Sequence, residues 1–439
     1  MTAVATNPDA IPARTTAEIR RSRYLAITYL VLAAFVLFYF ARWSRDLGNF
    51  TFSLARPTDP SLPDLTLSTG RVTLFCGIAL AVLGGYQLVR GFGRRENLVL
   101  ALGLVIFIFA FLAWATGQSS LGAFSMVGML KATIVRSVPI TLGALAGVMS
   151  ERVAVINIAI EGQLLAGAFV GAVVASPLTE PDDRLLLGAP LGSWVGVLAA
   201  VLVGMLLAWV LAVLAIRYVV DQIIAGVVIT IFVGGLTSFL SLRWLAENSG
   251  LNQAPIYKPL GIPLLSRIPL IGPILFDHNI FVFGAFIFVA LLTFLLFRTR
   301  WGLRARAVGE HPKAADTVGV NVYRTRYLNV ILGGAIAGFG GAFFTLGSVG
   351  RFDENMTNGR GFIGLAAMIF GRWHPVGAMA AGLVFGFADA LSQTLGILQT
   401  GIPSEFLGMA PFIVTILVVA GLVGRARPPA ADGQPYVKE

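Results

Sequence analysis

Cysteine is almost absent. The single Cys76 among 439 residues rules out an intrachain disulfide framework, and its place inside an apolar run reads as a small buried hydrophobe. Charge is scarce too. Only 12% of residues are charged against 56% apolar, and the mean hydropathy is +0.82, a balance that excludes an ordinary soluble domain and makes lipid the usual solvent. The histidines His278, His311 and His374 lie far apart, without partners at metal-ligand spacing, so no metal site is expected. No Gly-x-x-x-x-Gly-Lys-Ser/Thr phosphate loop occurs, so the chain does not itself hydrolyse ATP by that route. No Gly-x-Ser-x-Gly elbow occurs either, which leaves an enzyme reading without an anchor.

What is present is a series of apolar runs rich in glycine. The 50 glycines are dispersed, as suits transmembrane helices whose backbones approach closely through small residues. A span needs about 20 apolar residues. That criterion predicts helices near 24–42, 72–90, 98–116, 132–149, 155–175, 191–216, 222–245, 279–297, 327–348, 376–396 and 408–424. The first run ends in Phe40-Ala41-Arg42-Trp43, without a small-residue cleavage site, and reads as a retained helix. A further run, 361–371, is too short to cross alone and reads as a broken or re-entrant half-helix. The fold class is therefore all-α: a polytopic transmembrane bundle of about 10–12 spans, with broken helices around a central pathway.

The formal charge of +10 clusters at span ends, which indicates orientation in a membrane and not nucleic-acid binding. The linker 298–326 carries Arg298, Arg300, Arg304, Arg306, Lys313, Arg324 and Arg326 against Glu310 and Asp316, and is expected on the cytoplasmic side. Counting outward from it puts both termini inside as well, together with the turn bearing Arg90, Arg94 and Arg95. The loops 43–71, 176–190 and 246–278 fall outside. The carboxyl terminus keeps this side only if 361–371 returns to the inner face.

Polar residues inside apolar runs are the default functional candidates. Asn157 and Glu161, four apart, share a helix face in the polar break Ser150–Gln163. Two readings stand. In one, broken helices expose their end dipoles to a substrate pathway near this pair; in the other, the pair belongs to a packing or capping network. A second polar break recurs in Gly371-Arg372-Trp373-His374-Pro375, and paired interruptions in two halves point to a transporter site. The approach to it, Asn355 to Phe362, offers Asn358 and Phe362 to a substrate, or forms an ordinary turn. Asp389 and Gln393 lie four apart within 376–396, and Asp221 suits a helix cap.

In the linker, Pro312 fits the first position of a short helix, Ala314 and Ala315 favour it, and Gly319 can end it. A short cytoplasmic helix with small residues exposed is a shape for docking into a partner's groove.

The stretch Gly302-Leu303-Arg304-Ala305-Arg306-Ala307-Val308-Gly309-Glu310-His311-Pro312-Lys313-Ala314-Ala315, followed by Gly319, resembles the linker of the ABC permease family of ribose-type and nucleoside-type importers. Residues 150–162 and 358–366 resemble its nucleoside-type branch. The resemblance spans roughly 125–424, with His311 where the family often has Asn and Asp221-Gln222 where Asn-Glu is commoner.

It implies a permease subunit of a bacterial plasma-membrane importer that moves a nucleoside or simple sugar by alternating access. Residues 1–97 would be an amino-terminal addition with two extra helices, 98–424 the transport domain and 425–439 a cytoplasmic tail. Asn157, Glu161, Asn358, Phe362 and Asp389 would lie along the pathway. Arg304, Arg306, Glu310, Ala314, Ala315 and Gly319 would face an ATPase. The chain itself would bind no cofactor, with ATP and magnesium held by two ATPase copies or sites. A second permease, identical or paralogous, and an extracytoplasmic substrate-binding protein would complete the complex. The rival class is an ion-coupled secondary transporter with Glu161 and Asp389 as proton or sodium sites.

Overall fold

The computed structural model describes residues 16–44, 48–51, 65–118, 123–179, 185–398, 403, 406, 408–409 and 427–438. Among these, nine helices are long and apolar enough to cross a membrane. They correspond to nine of the expected spans; 408–424 lies largely outside the described residues. Run 155–175 differs from expectation. Its helix starts only at Ile160, because 152–159 is an irregular turn with Ala154 at φ +62°.

Two compact units result. The first holds α1 (Ile19–Trp43), α2 (Thr69–Val89) and α3 (Leu98–Gln118). There α2 packs against both neighbours, Gln87 donates to Ser22 Oγ (3.0 Å) and Glu96 Oε1 (3.2 Å), and Phe40 stacks on Trp114 at 5.1 Å. A short strand, Gly48–Thr51, pairs antiparallel with Leu65–Leu67 and parallel with Ala123–Ser125.

The second unit contains α4 (Met126–Glu151), the short α5 (Ile160–Ala175), α6 (Leu191–Arg217), α7 (Gln222–Leu245) and α8 (Ile280–Arg298). Beyond α8 come α9 (Arg300–Glu310), α10 (Pro312–Thr317), α11 (Val322–Val349), the short α12 (Arg360–Phe370) and α13 (Pro375–Ile397). Helices α4 and α11 are largely buried, whereas the other long helices leave most of their surface open, as lipid-facing helices do. Asp221 Oδ1 caps α7 by accepting from the amides of Ile223 (2.9 Å) and Ile224 (3.0 Å), as its position predicts.

Small residues set the spacing of the central helices α5, α6 and α11. A Cβ at Gly338 of α11 would stand 2.9 Å from the backbone of Ala200 and Val201 in α6, and one at Gly341 2.9 Å from Gly167 and Ala168 in α5. Lipid gives no hydrophobic drive between helices, so this backbone approach supplies van der Waals contact that larger side chains would prevent. Gly338→Val should cost about 3 kcal/mol by overpacking, read as a fall in the thermal unfolding midpoint in detergent. Gly235→Ala, at a site with nothing within 4 Å, should leave it unchanged.

Candidate functional site

The two polar breaks meet. In the first, Glu151 ends α4 and Arg152 follows; in the second, Arg372 and Trp373 adopt left-handed backbone at φ +55° and +52°. Trp373 Nε1 donates to Glu151 Oε2 at 2.6 Å, and Arg152 Nε donates to the Trp373 carbonyl at 2.9 Å. The side chains of Arg152 and Arg306 both lie over the Phe297 ring, at 5.6 and 5.1 Å, and His374 stacks on the same ring at 4.6 Å. Partial burial, and then the charge of Arg152, hold the His374 imidazole below its usual range, which keeps it neutral at physiological pH.

Glu161, at the start of α5, is buried and serves the other half. Its Oε1 accepts from Thr357 Oγ1 (2.7 Å) and the Gly359 amide (2.8 Å), and its Oε2 accepts from the Gly361 amide (2.6 Å). It thereby occupies the amino terminus of α12, where helix dipole and free amides favour a carboxylate. Gly361 permits the approach, since a Cβ there would lie 2.6 Å from Glu161 Cα. Asn157 is fully buried: its Nδ2 donates to Gln163 Oε1 (3.3 Å) and Ser150 Oγ (3.4 Å), and Gln163 Nε2 donates back to Asn157 Oδ1 (3.4 Å). Gln222 adds a tie, its Oε1 accepting from the Ile156 amide at 2.7 Å. Both sequence-selected residues are thus engaged in internal capping and packing networks.

Asp389 lies in a different setting. Its Oδ2 pairs with Arg136 of α4 at 2.9 Å and Arg360 of α12 at 3.1 Å, and Arg136 also donates to Gln393. Arg360 lies over the Phe344 ring at 5.8 Å. Lys131 pairs with Asp277 at 2.6 Å. Lys131, Arg136, Arg360, Gln393, Asp353, Ser348, Phe343, Phe344 and Met356 line a cavity of about 520 Å³, within the size range of small-molecule sites. Each unpaired cation at membrane depth would cost about 2.5–3.5 kcal/mol on insertion scales, so the shared carboxylate makes two arginines tolerable beside one cavity.

Phe362 and Asn358 are exposed and do not line this cavity. Lys131 and Arg136 carry a signal that local pattern offers but that the polar breaks overshadow: two cations five apart at the head of an apolar run.

The linker forms a helical hairpin. Thr299 Oγ1 accepts from the Gly302 amide (3.2 Å) to cap α9, and His311 Nδ1 accepts from the Ala314 amide (3.1 Å) to cap α10. Gly319 at φ +86° follows the end of α10. Ala314, Lys313, Thr317 and Val318 are exposed, as is Arg304, but Ala315 is buried, contrary to the expectation of an exposed small residue. Ala315 joins Ala305 and Val308 of α9 and Val153 and Val155 of the first break in one apolar cluster. Glu310 Oε2 accepts from the Ala430 amide at 3.2 Å.

Glu161→Ala would strand three donors near an apolar interior, at a cost of at least about 3 kcal/mol given about 1–3 kcal/mol for each unsatisfied group. Hydrogen exchange at the Gly359 and Gly361 amides should accelerate, while Glu161→Gln should retain part of the protection.

The family described as "Branched-chain amino acid transport system / permease component" matches residues 129–422. The guanosine ABC transporter permease protein NupQ of Bacillus subtilis is 40% identical over 317 residues, 71% of this chain and 96% of that protein. The nucleoside ABC transporter permease protein NupC of Lactococcus lactis is 38% identical over 313 residues, 70% and 95%. The glucose ABC transporter permease protein TsgB13 of Haloferax volcanii is 28% identical over 299 residues, 66% and 76%. No solved structure matches. The match covers α4 through α13, with both breaks, the charged cavity and the linker hairpin, and the chain belongs to this permease family: it is a multi-pass, membrane-spanning subunit of an ABC transporter and not an enzyme.

Proposed function

We propose that this subunit passes a nucleoside through the cavity bounded by Arg136, Arg360 and Phe344. NupQ and NupC, whose names specify guanosine and nucleosides, are similar over almost their whole length. The observation that carries the reading is the juxtaposition of Phe343 and Phe344 with Arg136, Arg360 and Lys131 around one cavity. The buried Phe343 and Phe344 give the cavity an apolar wall that suits a base, one side of the Phe344 ring being covered by Arg360, and guanidinium groups suit the acceptor-rich edge of a purine. A sugar could use the donors and lay a C–H face on a ring, but it has no heteroaromatic edge for the guanidinium groups. Ion pairing consumes one nitrogen of Arg360, which leaves further donors on the same group for a substrate.

In this account Asp389 holds the cationic pair in place, Asn157 and Glu161 keep the broken helices in register, and Asn358 and Phe362 lie on the exposed approach. The linker 298–326 and both termini face the cytoplasm, in agreement with the positive-inside bias. Two ATPase copies grip α10 of this subunit and of a second permease, identical or paralogous, while an extracytoplasmic binding protein delivers the nucleoside. ATP drives the switch only through unequal affinity for the two states. Arg304, Arg306, Glu310 and Gly319 shape the hairpin, and the contact face is Lys313, Ala314, Thr317 and Val318.

In proteoliposomes with the ATPase and binding protein, unlabelled purine nucleosides should compete with labelled guanosine for uptake, and glucose or ribose should not; competition by hexoses alone would sink the nucleoside reading. Arg360→Ala should lower uptake at least tenfold with the ATPase still bound. Ala314→Arg should abolish co-purification with the ATPase at unchanged thermal stability. Ala315→Arg, a charge placed in a buried site, should lower stability as well.

A further inference from the structure

Residues 427–438 lie across the linker hairpin and the first helix break together. At the hairpin, the Ala431 amide donates to the Gly309 carbonyl at 3.0 Å, the Ala430 amide donates to Glu310 at 3.2 Å, and Lys438 Nζ pairs with Asp316 Oδ1 at 3.2 Å. At the start of α11, the buried Arg326 donates from Nη1 to the Gln434 carbonyl at 3.2 Å, and the Tyr436 ring meets Tyr323 at 5.4 Å. Tyr436 also enters the apolar cluster that joins Val153 and Val155 to Ala305, Val308 and Ala315. At the break, Gly433 adopts φ +71°, and a Cβ there would lie 2.8 Å from Ile156 Cδ1. Asp432 faces Glu151, the residue that bonds Trp373 of the second break.

These contacts have one geometric consequence. The hairpin meets the break through this apolar cluster and at Gly309, where a Cβ would stand 3.0 Å from the carbonyl carbon of Arg152. The carboxyl-terminal segment spans that seam: hydrogen bonds and an ion pair hold it to the hairpin, Arg326 and Tyr323 hold it to α11, and on the break side Gly433 packs against Ile156 and Asp432 lies beside Glu151. We infer that residues 427–438 are a positioning strap: they fix the hairpin α9–α10 to the break at 150–156, so that displacement of α10 by the ATPase moves the broken helices instead of being absorbed at the interface. The strap acts through the hairpin and touches no substrate. The inference rests on the reading of α10 as the surface the ATPase grips.

The test uses the full complex of this permease, its partner permease, the ATPase and the binding protein in proteoliposomes. One variant ends after Arg427; the other is Gly433→Val, which forces a β-branched side chain into a left-handed turn against Ile156 without removing the segment. Nucleoside moved per ATP hydrolysed should fall at least tenfold for the truncation and at least threefold for Gly433→Val, with ATPase co-purification intact. A purely stabilising role would lower the yield of complex and leave this ratio unchanged. An unchanged ratio in both variants would overturn the strap, as would loss of ATPase co-purification on truncation, which would make the segment a docking element. If the intact chain itself fails to bind the ATPase, the underlying reading of α10 fails instead, and the two failures are distinguishable.

Discussion

A helix that stops inside a bilayer leaves amides with no water to bond, and each one left bare costs several kcal/mol. Among the described residues, helices are interrupted at 152–159 and 371–374, and the structure depends on how the freed groups are satisfied. At the start of α12 a single carboxylate, Glu161, takes the amides of Gly359 and Gly361 and the hydroxyl of Thr357. At the other end of α12, Trp373 and Arg152 bind the second break to the first. Because the capping groups come from α4, the residue that follows it and α5, the two broken segments are connected by polar bonds that apolar packing alone would not specify.

The same economy governs the charges. Asp389 serves two arginines beside the cavity, and an ion pair of this kind contributes modest net stability, because desolvation offsets much of the Coulomb gain. Its effect is positional. It ties α4, α12 and α13 together beside the cavity. At the opposite end of α12 and α4 lies the junction with the linker hairpin, so the cavity and the surface assigned to the motor are joined through two helices and their shared breaks.

Much of this was legible in the sequence. Apolar runs of span length predicted nine helices that the structure describes, and the polar interruptions at 150–163 and 371–375 predicted broken helices, because those patterns are local. Both ends of α10 were readable for the same reason: Pro312 at its start and Gly319 after its end have strong backbone preferences. The partners were not legible. Nothing in the spacing of Asn157 and Glu161 tells whether they face a ligand or a helix end, and only the fold shows Glu161 capping a segment some 200 residues away. The burial of Ala315, the junction of Glu151 with Trp373 and the contacts of 427–438 are likewise long-range contacts that local pattern does not encode.

In the proposed function, a substrate passes the cavity at Arg136, Arg360 and Asp389. That passage can be measured directly in a chain with Cys76 replaced by serine and Ser348 by cysteine, assembled with its partners in proteoliposomes. Labelling of that thiol by a small cationic methanethiosulfonate should slow at least fivefold when a transported nucleoside and its binding protein are supplied. Labelling at an unchanged rate during active uptake would contradict the account.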